Sequence, residues 1–384
     1  MVLATESDAL DLQTETDIYV TDYFNEETGE TDAEEPIYTD YTVTELTVTE
    51  AGNYWLTGYD AINKKAGIAY PNCTEIDATE CTGDVVLVGN ANSNLLLAGS
   101  GKSSLWGGID GHDTMQGGAA QDMFWFGEGD GKDVVQDFTT GSGEAADVLS
   151  LYRGPLKSVI RNGMVLTVNM AESNRLTVNT DSLGDGTILY TWDGKTIQQA
   201  KIGNATGDNK LTYGAEVSYY QGGNFKDTLV LSGGTEEKIV WLDGSKKKTF
   251  SGIDIIDGSE SSGADQLAGN YAAESIVGGR AEASLWGGPG NADDTLRAGT
   301  GDNSLYYGYA EGNDLIQSTY RDAKVMLYNM SLSQIAGTKI GSNVISIATT
   351  SGHTLTVEGK TAYFALADGT RWKPNRQDGV WMRI

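Results

Sequence analysis

Large apolar residues recur along this chain at intervals of nine to eleven positions. Leu96, Leu105, Met115 and Phe124 form one such series, and Ile276, Leu285, Leu296 and Leu305 form another. Each lies in an island of three or four residues bounded by glycine-rich turns. Islands that short cannot supply the repeating three-to-four spacing of an amphipathic helix, so they predict short strands separated by tight turns. No convincing amphipathic helix longer than two turns is visible anywhere in the chain. The expected fold class is all-β.

The two series belong to a longer repeat. The segment 103–108 (SSLWGG) returns at 283–288 (ASLWGG), which places Trp106 and Trp286 180 positions apart. At the same offset Ile76 and Asp77 match Ile256 and Asp257, Gly83 matches Gly263, and Gly89-Asn90 matches Gly269-Asn270. One inserted residue then moves the offset to 181, so that Phe126-Gly127 matches Tyr307-Gly308 and Asp133 matches Asp314. Leu176-Thr177-Val178 corresponds to Leu355-Thr356-Val357, and both copies approach an Asp-Gly turn, at 193–194 and 368–369. One design is thus used twice. The expected organisation is an acidic β extension over 1–48, a first module over 49–204 and a second over 205–384.

Within each copy the shorter period reads GNANSNLLL (89–97), AGSGKSSLW (98–106), GGIDGHDTMQ (107–116) and GGAAQDMFW (117–125). The second copy reads GNYAAESIV (269–277), GGRAEASLW (278–286), GGPGNADDTLR (287–297) and AGTGDNSLY (298–306). The template is G-G-x-G-x-D-x-U-x. Its glycines permit backbone angles closed to other residues, its sixth place supplies a carboxylate, and its eighth is the large inward residue. These residues resemble the RTX, or hemolysin-type, calcium-binding nonapeptide family, and 117–138 is similar to the closing turn and exit strand of its repeat blocks. The resemblance covers 83–138 and 263–317, about a third of the chain. It implies a short right-handed parallel β-roll in each module, flanked by more ordinary β segments, with structural Ca²⁺ between alternate turns. It also implies export by type I secretion and folding in extracellular calcium, hence a secreted or cell-surface location.

At the ligand place this chain departs from the family pattern. The sixth positions are Asn94, Ser103, Asp113 and Asp122, then Glu274, Ala283, Asp294 and Asn303, so only three of eight are Asp. The candidate metal ligands are Asp113 with Asp133 of the exit segment and Asp130 nearby, their copies Asp294 and Asp314, and Asp122. Each lost carboxylate weakens an oxygen-ligand site. A calcium-free roll held by apolar side chains and turn hydrogen bonds is the competing expectation.

Charge and composition narrow the function. With 26 Lys and Arg against 54 Asp and Glu, the net charge is −28. Such a surface repels phosphate backbones and anionic lipid, which disfavours nucleic acid and membrane partners. No apolar run is long enough to cross a bilayer as a helix. Glycine stands at 50 of 384 residues, close to twice the usual share, as many tight turns require. The first residues lack the basic and apolar regions of a cleavable signal, so the expectation is either a piece of a longer chain or export through a C-terminal signal. Residues 1–63 carry no Lys or Arg. There, 25–35 reads as a solvated acidic loop, and 17–24 and 37–48 as strands suited to adding to a neighbour's sheet edge. Cys73 and Cys81 leave open one disulfide or two thiols.

No catalytic constellation emerges. The segment 99–104 resembles the end of a phosphate loop, but the place that needs glycine holds Leu96. His112 and His353 are the only histidines, too few for a multi-histidine zinc site, and there is no G-x-S-x-G elbow. Trp106 and Trp286 recur at the ninth place, either as a structural aromatic ladder or as a platform for sugars or a partner protein. The leading expectation is a non-enzymatic extracellular structural or adhesive protein, such as a surface-layer, matrix or adhesin component. Its partners would be further copies of itself or other surface proteins. The alternatives are the secretion-competent repeat portion of a larger exported toxin or enzyme, and a carbohydrate-binding β-solenoid.

Overall fold

The structure is a computed structural model that describes residues 38–384 apart from 61–62, 171–173, 181–185, 193 and 247. The acidic loop over 25–35 and the strand expected over 17–24 lie outside the described residues. The described chain divides into two compact units, with the division between Ala200 and Lys201. Both units are built from parallel strands, and the elements are all-β apart from 3₁₀ structure such as the turn at Leu332–Gln334.

In the first unit, successive nonapeptides do not stack on one another. They alternate between two sheets, so one turn of the roll consumes two of them. One sheet stacks Gly52–Trp55, Val85–Val88, Ser103–Trp106, Met123–Gly127, Val148–Tyr152 and Thr187–Trp192, all parallel. The other stacks Glu45–Thr47, Glu75–Asp77, Leu95–Leu97, Thr114–Gln116, Lys132–Phe138 and Arg175–Thr180. Glu45–Thr47, within the expected N-terminal extension, therefore supplies the first rung of this second sheet, while Tyr38–Thr39 pairs with Ile68–Ala69 in a separate two-stranded sheet.

The register explains the apolar period. Ile76, Leu96, Met115, Val135 and Val178 lie in one continuous row, and Leu87, Leu105, Phe124 and Leu149 lie in the other. All are buried at or near zero exposure. Parallel stacking puts each large residue directly on its equivalent one turn away, so both rows close a single apolar interior.

The second unit repeats the plan. Lys210–Thr212, Thr228–Val230, Ile255–Asp257, Ser275–Val277 and Thr295–Arg297 stack in one row. Ile239–Trp241, Gln266–Ala268, Ser284–Trp286 and Ser304–Tyr307 stack in the other. The 13-residue strand Leu315–Leu327 then bends, so that its first half extends one row and its second half the other. Its core runs from Leu211 to Leu366.

Each unit also carries an antiparallel hairpin. Ser158–Asn162 and Val165–Asn169 pair against Arg175–Thr180, and Ile335–Ile340 and Val344–Thr349 pair against Thr354–Leu366. These hairpins continue the sheet beyond the last parallel rung that each roll leaves open. Cys73 and Cys81 are both buried free thiols, with Sγ of Cys73 directed at the Glu75 carbonyl and that of Cys81 at the Gly83 carbonyl.

Candidate functional site

The sixth place of each nonapeptide lies just before a strand, where the peptide N–H faces the next turn of the roll. There it meets the side chain of the residue stacked one turn on. The Asn94 N–H donates to Asp113 Oδ1 at 2.7 Å, and the Asp113 N–H donates to Asp133 Oδ1 at 3.0 Å. On the other sheet the Ser103 N–H donates to Asp122 Oδ1 at 2.7 Å, and the Asp122 N–H to Asp147 Oδ1 at 2.8 Å. In the second unit the Glu274 N–H donates to Asp294 Oδ1 at 2.8 Å, and the Asp294 N–H to Asp314 Oδ1 at 3.0 Å. Asp113 with Asp133, and Asp294 with Asp314, are thus brought together as spacing predicts. Asp122 is not isolated. Its partner is Asp147, which the nonapeptide pattern does not reach.

In the first unit three of these carboxylates keep a spare oxygen, whereas Asp147 accepts the Asp122 N–H with Oδ1 and the Thr139 N–H, at 2.7 Å, with Oδ2. The Oδ1 atoms are occupied, but Oδ2 of Asp113, Asp122 and Asp133 is buried with no hydrogen-bond partner, and the same holds for Asp227 and Asp265. The space beside them exists because of glycine. A Cβ on Gly107 would lie 2.1 Å from Asp113 Oδ2, and one on Gly89 would lie 2.0 Å from the carbonyl oxygen of Gly107 one turn on. Desolvation therefore dominates the carboxyl groups. It pushes Asp113, Asp122 and Asp147 up to about 7, and Asp133, Asp294 and Asp314 up to about 8. The neighbouring carboxylate adds to the rise at Asp133, Asp294 and Asp314.

Orphaned hard oxygen atoms, paired carboxylates and adjacent turn carbonyls form a donor set suited to Ca²⁺. The supply of carboxylates is thin. Among the described residues no group of three or more His, Cys, Asp or Glu side chains is gathered as a metal cluster. An ion here would rest on two carboxylates with backbone carbonyls completing its shell. At the eroded places a neutral amide replaces the charge. Asn94 accepts from the Asn90 N–H at 2.8 Å and donates to the Cys73 carbonyl at 3.1 Å.

Asp130, expected beside the Asp113 pair, has a different surrounding. It is fully buried, and its carboxylate accepts from the Trp106 indole N–H at 3.1 Å, the Gly127 N–H at 2.8 Å and the Tyr152 hydroxyl at 2.7 Å. With its oxygens taken up by three donors, Asp130 is a clamp for two aromatic rings. Trp106 and Tyr152 meet edge to face, with centroids 6.1 Å apart. The second unit builds the same clamp with Glu311, which accepts from the Trp286 indole at 3.1 Å, the Gly308 N–H and the Tyr328 hydroxyl. Its rings Trp286 and Tyr328 again meet edge to face at 6.0 Å. The turn that carries the acid has the same length in both units, three residues from Gly127 to Asp130 and from Gly308 to Glu311. Asp130→Ala would leave the Trp106 and Tyr152 donors unpaired. The expected loss is about 1–3 kcal/mol in denaturant unfolding, while Asp130→Glu loses less.

No family model and no curated protein matches the chain. Among solved structures, the extracellular lipase LipA from Serratia marcescens is similar at 14% sequence identity with a TM-score of 0.19. The alignment covers 79% of this chain and 40% of the lipase chain, so the chain spans two fifths of that protein's length.

Proposed function

We propose that this chain is an exported, non-enzymatic β-roll of the RTX type, serving as a structural or adhesive element at a cell surface or in an extracellular matrix. Calcium held between its turns would tie the roll together. The observation that carries this reading is the set of buried, unpartnered carboxylate oxygens on stacked aspartates, above all Asp113 over Asp133. A buried carboxylate without a counter-charge is costly, and a divalent cation between two of them removes that cost. The residues that would hold it are Asp113 and Asp133 on one sheet, with Asp122 on the other, where the Asp147 oxygens already accept the Asp122 and Thr139 peptide N–H groups. In the second unit they are Asp294 and Asp314. Calcium-dependent folding suits a chain that must leave a cell unfolded and become rigid outside it. Copies of the chain or other surface proteins are the partners this role calls for.

The test is thermal unfolding followed by circular dichroism in EGTA and in millimolar Ca²⁺. Binding to the native state alone raises stability by about 2.7 kcal/mol when free ligand is a hundred times Kd. A rise in Tm is expected with Ca²⁺ and none with matched NaCl. Asp113→Asn with Asp133→Asn should remove most of the first unit's share, because asparagine keeps the oxygen that accepts the peptide N–H. Identical melting in chelator and calcium would remove the metal from this proposal.

A further inference from the structure

The outer face of the second unit carries a cleft of about 380 Å³ lined by Trp241, Ala268, Ser284, Trp286, Tyr306 and Tyr328, with Gln266 at its side. We infer that this cleft binds a neutral oligosaccharide, by stacking sugar rings on its aromatic walls. This inference is independent of the calcium reading.

The register makes the cleft. Trp241, Ala268, Trp286 and Tyr306 occupy one position on four successive rungs of a parallel sheet. Three rung spacings of about 4.8 Å give an aromatic row about 14 Å long. Ala268 is the one small residue in that row; it is buried, and over it the Trp241 and Trp286 rings meet edge to face with centroids 6.0 Å apart. The next outward row, two residues back along each strand, holds Ile239 on the Trp241 rung and then Gln266, Ser284 and Ser304. An aromatic wall therefore runs beside these polar groups, its rings steeply angled to one another, with Trp286 meeting both Trp241 and Tyr328 edge to face.

That pairing selects the ligand. A pyranose ring presents C–H groups on its faces and hydroxyls on its edge, so it can stack on Trp286 or Tyr306 while its hydroxyls reach Ser284 and Gln266. A purely apolar ligand would cover those polar groups without replacing their hydrogen bonds to water. An acidic ligand meets a chain of net charge −28.

The walls are also held in place before any ligand arrives. Glu311 accepts from both Trp286 and Tyr328, and the Lys246 ammonium lies 4.3 Å from the Trp241 ring centroid. Rings fixed in this way lose little freedom on binding. The first unit carries the equivalent row as Trp55, Val88, Trp106 and Trp125, with valine on the rung where the second unit has alanine. Valine at this rung is thus tolerated by the same architecture.

The experiment titrates the whole chain with cellohexaose, xylohexaose, mannohexaose, chitohexaose and maltohexaose. Tryptophan fluorescence and calorimetry report binding, with polygalacturonate and a hydrophobic dye as controls. Saturable binding of at least one neutral hexamer is expected, weakened about tenfold or more by Ala268→Val and by Tyr306→Ala, each with unchanged circular dichroism. Should Ala268→Val disturb the fold, Tyr306→Ala decides alone. The inference fails if no neutral hexamer binds, if both variants bind as the parent does, or if only the acidic polymer or the dye binds.

Discussion

Truncating Phe124 to alanine is expected to destabilise the first unit by about 3–5 kcal/mol, the largest effect of any single substitution considered for this fold. Phe124 has no solvent exposure and stacks in register between Leu105 and Leu149. Its ring also lies 6.0 Å from that of Phe138, so its loss opens a cavity bounded by both sheets. Neighbouring turns cannot close over the gap, because each is pinned by the parallel ladder above and below it. The matched control is Tyr271→Ala on the second unit, where a ring 74% exposed should change stability by no more than about 0.5 kcal/mol. Denaturant unfolding followed by tryptophan fluorescence and circular dichroism measures both. A loss at Phe124 no larger than at Tyr271 would mean that the row is not the interior it is taken for.

Phe124 shows how far the fold was legible beforehand. Its place at the eighth position of a nonapeptide marked it as inward, and all eight such residues are buried. The pattern reports which residue in a turn faces inward, but not which turns touch. Alternation of nonapeptides between two sheets is a property of register, and so is the contact between positions 106 and 125. Where the period is regular, ladder partners follow from spacing: Asp113 and Asp133 are 20 residues apart, as are Asp294 and Asp314. Where a longer loop intervenes, spacing fails. Asp147 lies 25 residues from Asp122 and no template position announces it.

The aromatic clamps were hidden for a related reason. Trp106 and Trp286 stood out by their recurrence, but the carboxylate each one meets changes from Asp130 to Glu311 between copies and lies 24 or 25 residues further on, past an inserted residue that shifts the alignment by one. Asp130 was also misleading in sequence, because an acid three residues before Asp133 looks like a second ligand. Its surroundings are two aromatic donors and a peptide N–H. The acid that would share an ion with Asp113 is Asp133.

The ladders also set the direction of the pH response. Without metal, the native carboxyl groups of Asp113, Asp122 and Asp147 sit at about 7, and those of Asp133, Asp294 and Asp314 at about 8, against an ordinary value of 3.8. A folded value raised above the unfolded one means that the native state holds more protons between the two. The stabilisation from those protons is complete below about pH 4, and it is lost as pH rises through 7 to 8. Chelator-treated protein should therefore melt at higher temperature at about pH 5 than at about pH 8. The expected difference is on the order of 3 kcal/mol, since the paired groups titrate together and their contributions do not simply add. Calcium should reverse the trend. Protons and the cation compete for the same oxygens, so the gain from Ca²⁺ is largest at about pH 8 and shrinks toward pH 5. Asp133→Asn separates the two effects. It should raise the pH 8 stability of the chelated protein by removing a buried charge, and it should also reduce the rise that calcium gives. Differential scanning calorimetry across that range, with and without EGTA, measures both. A chelated protein that becomes less stable as pH falls from 8 to 5 would show that these carboxylates are ionised and already satisfied within the fold, with neither proton nor calcium needed between the turns.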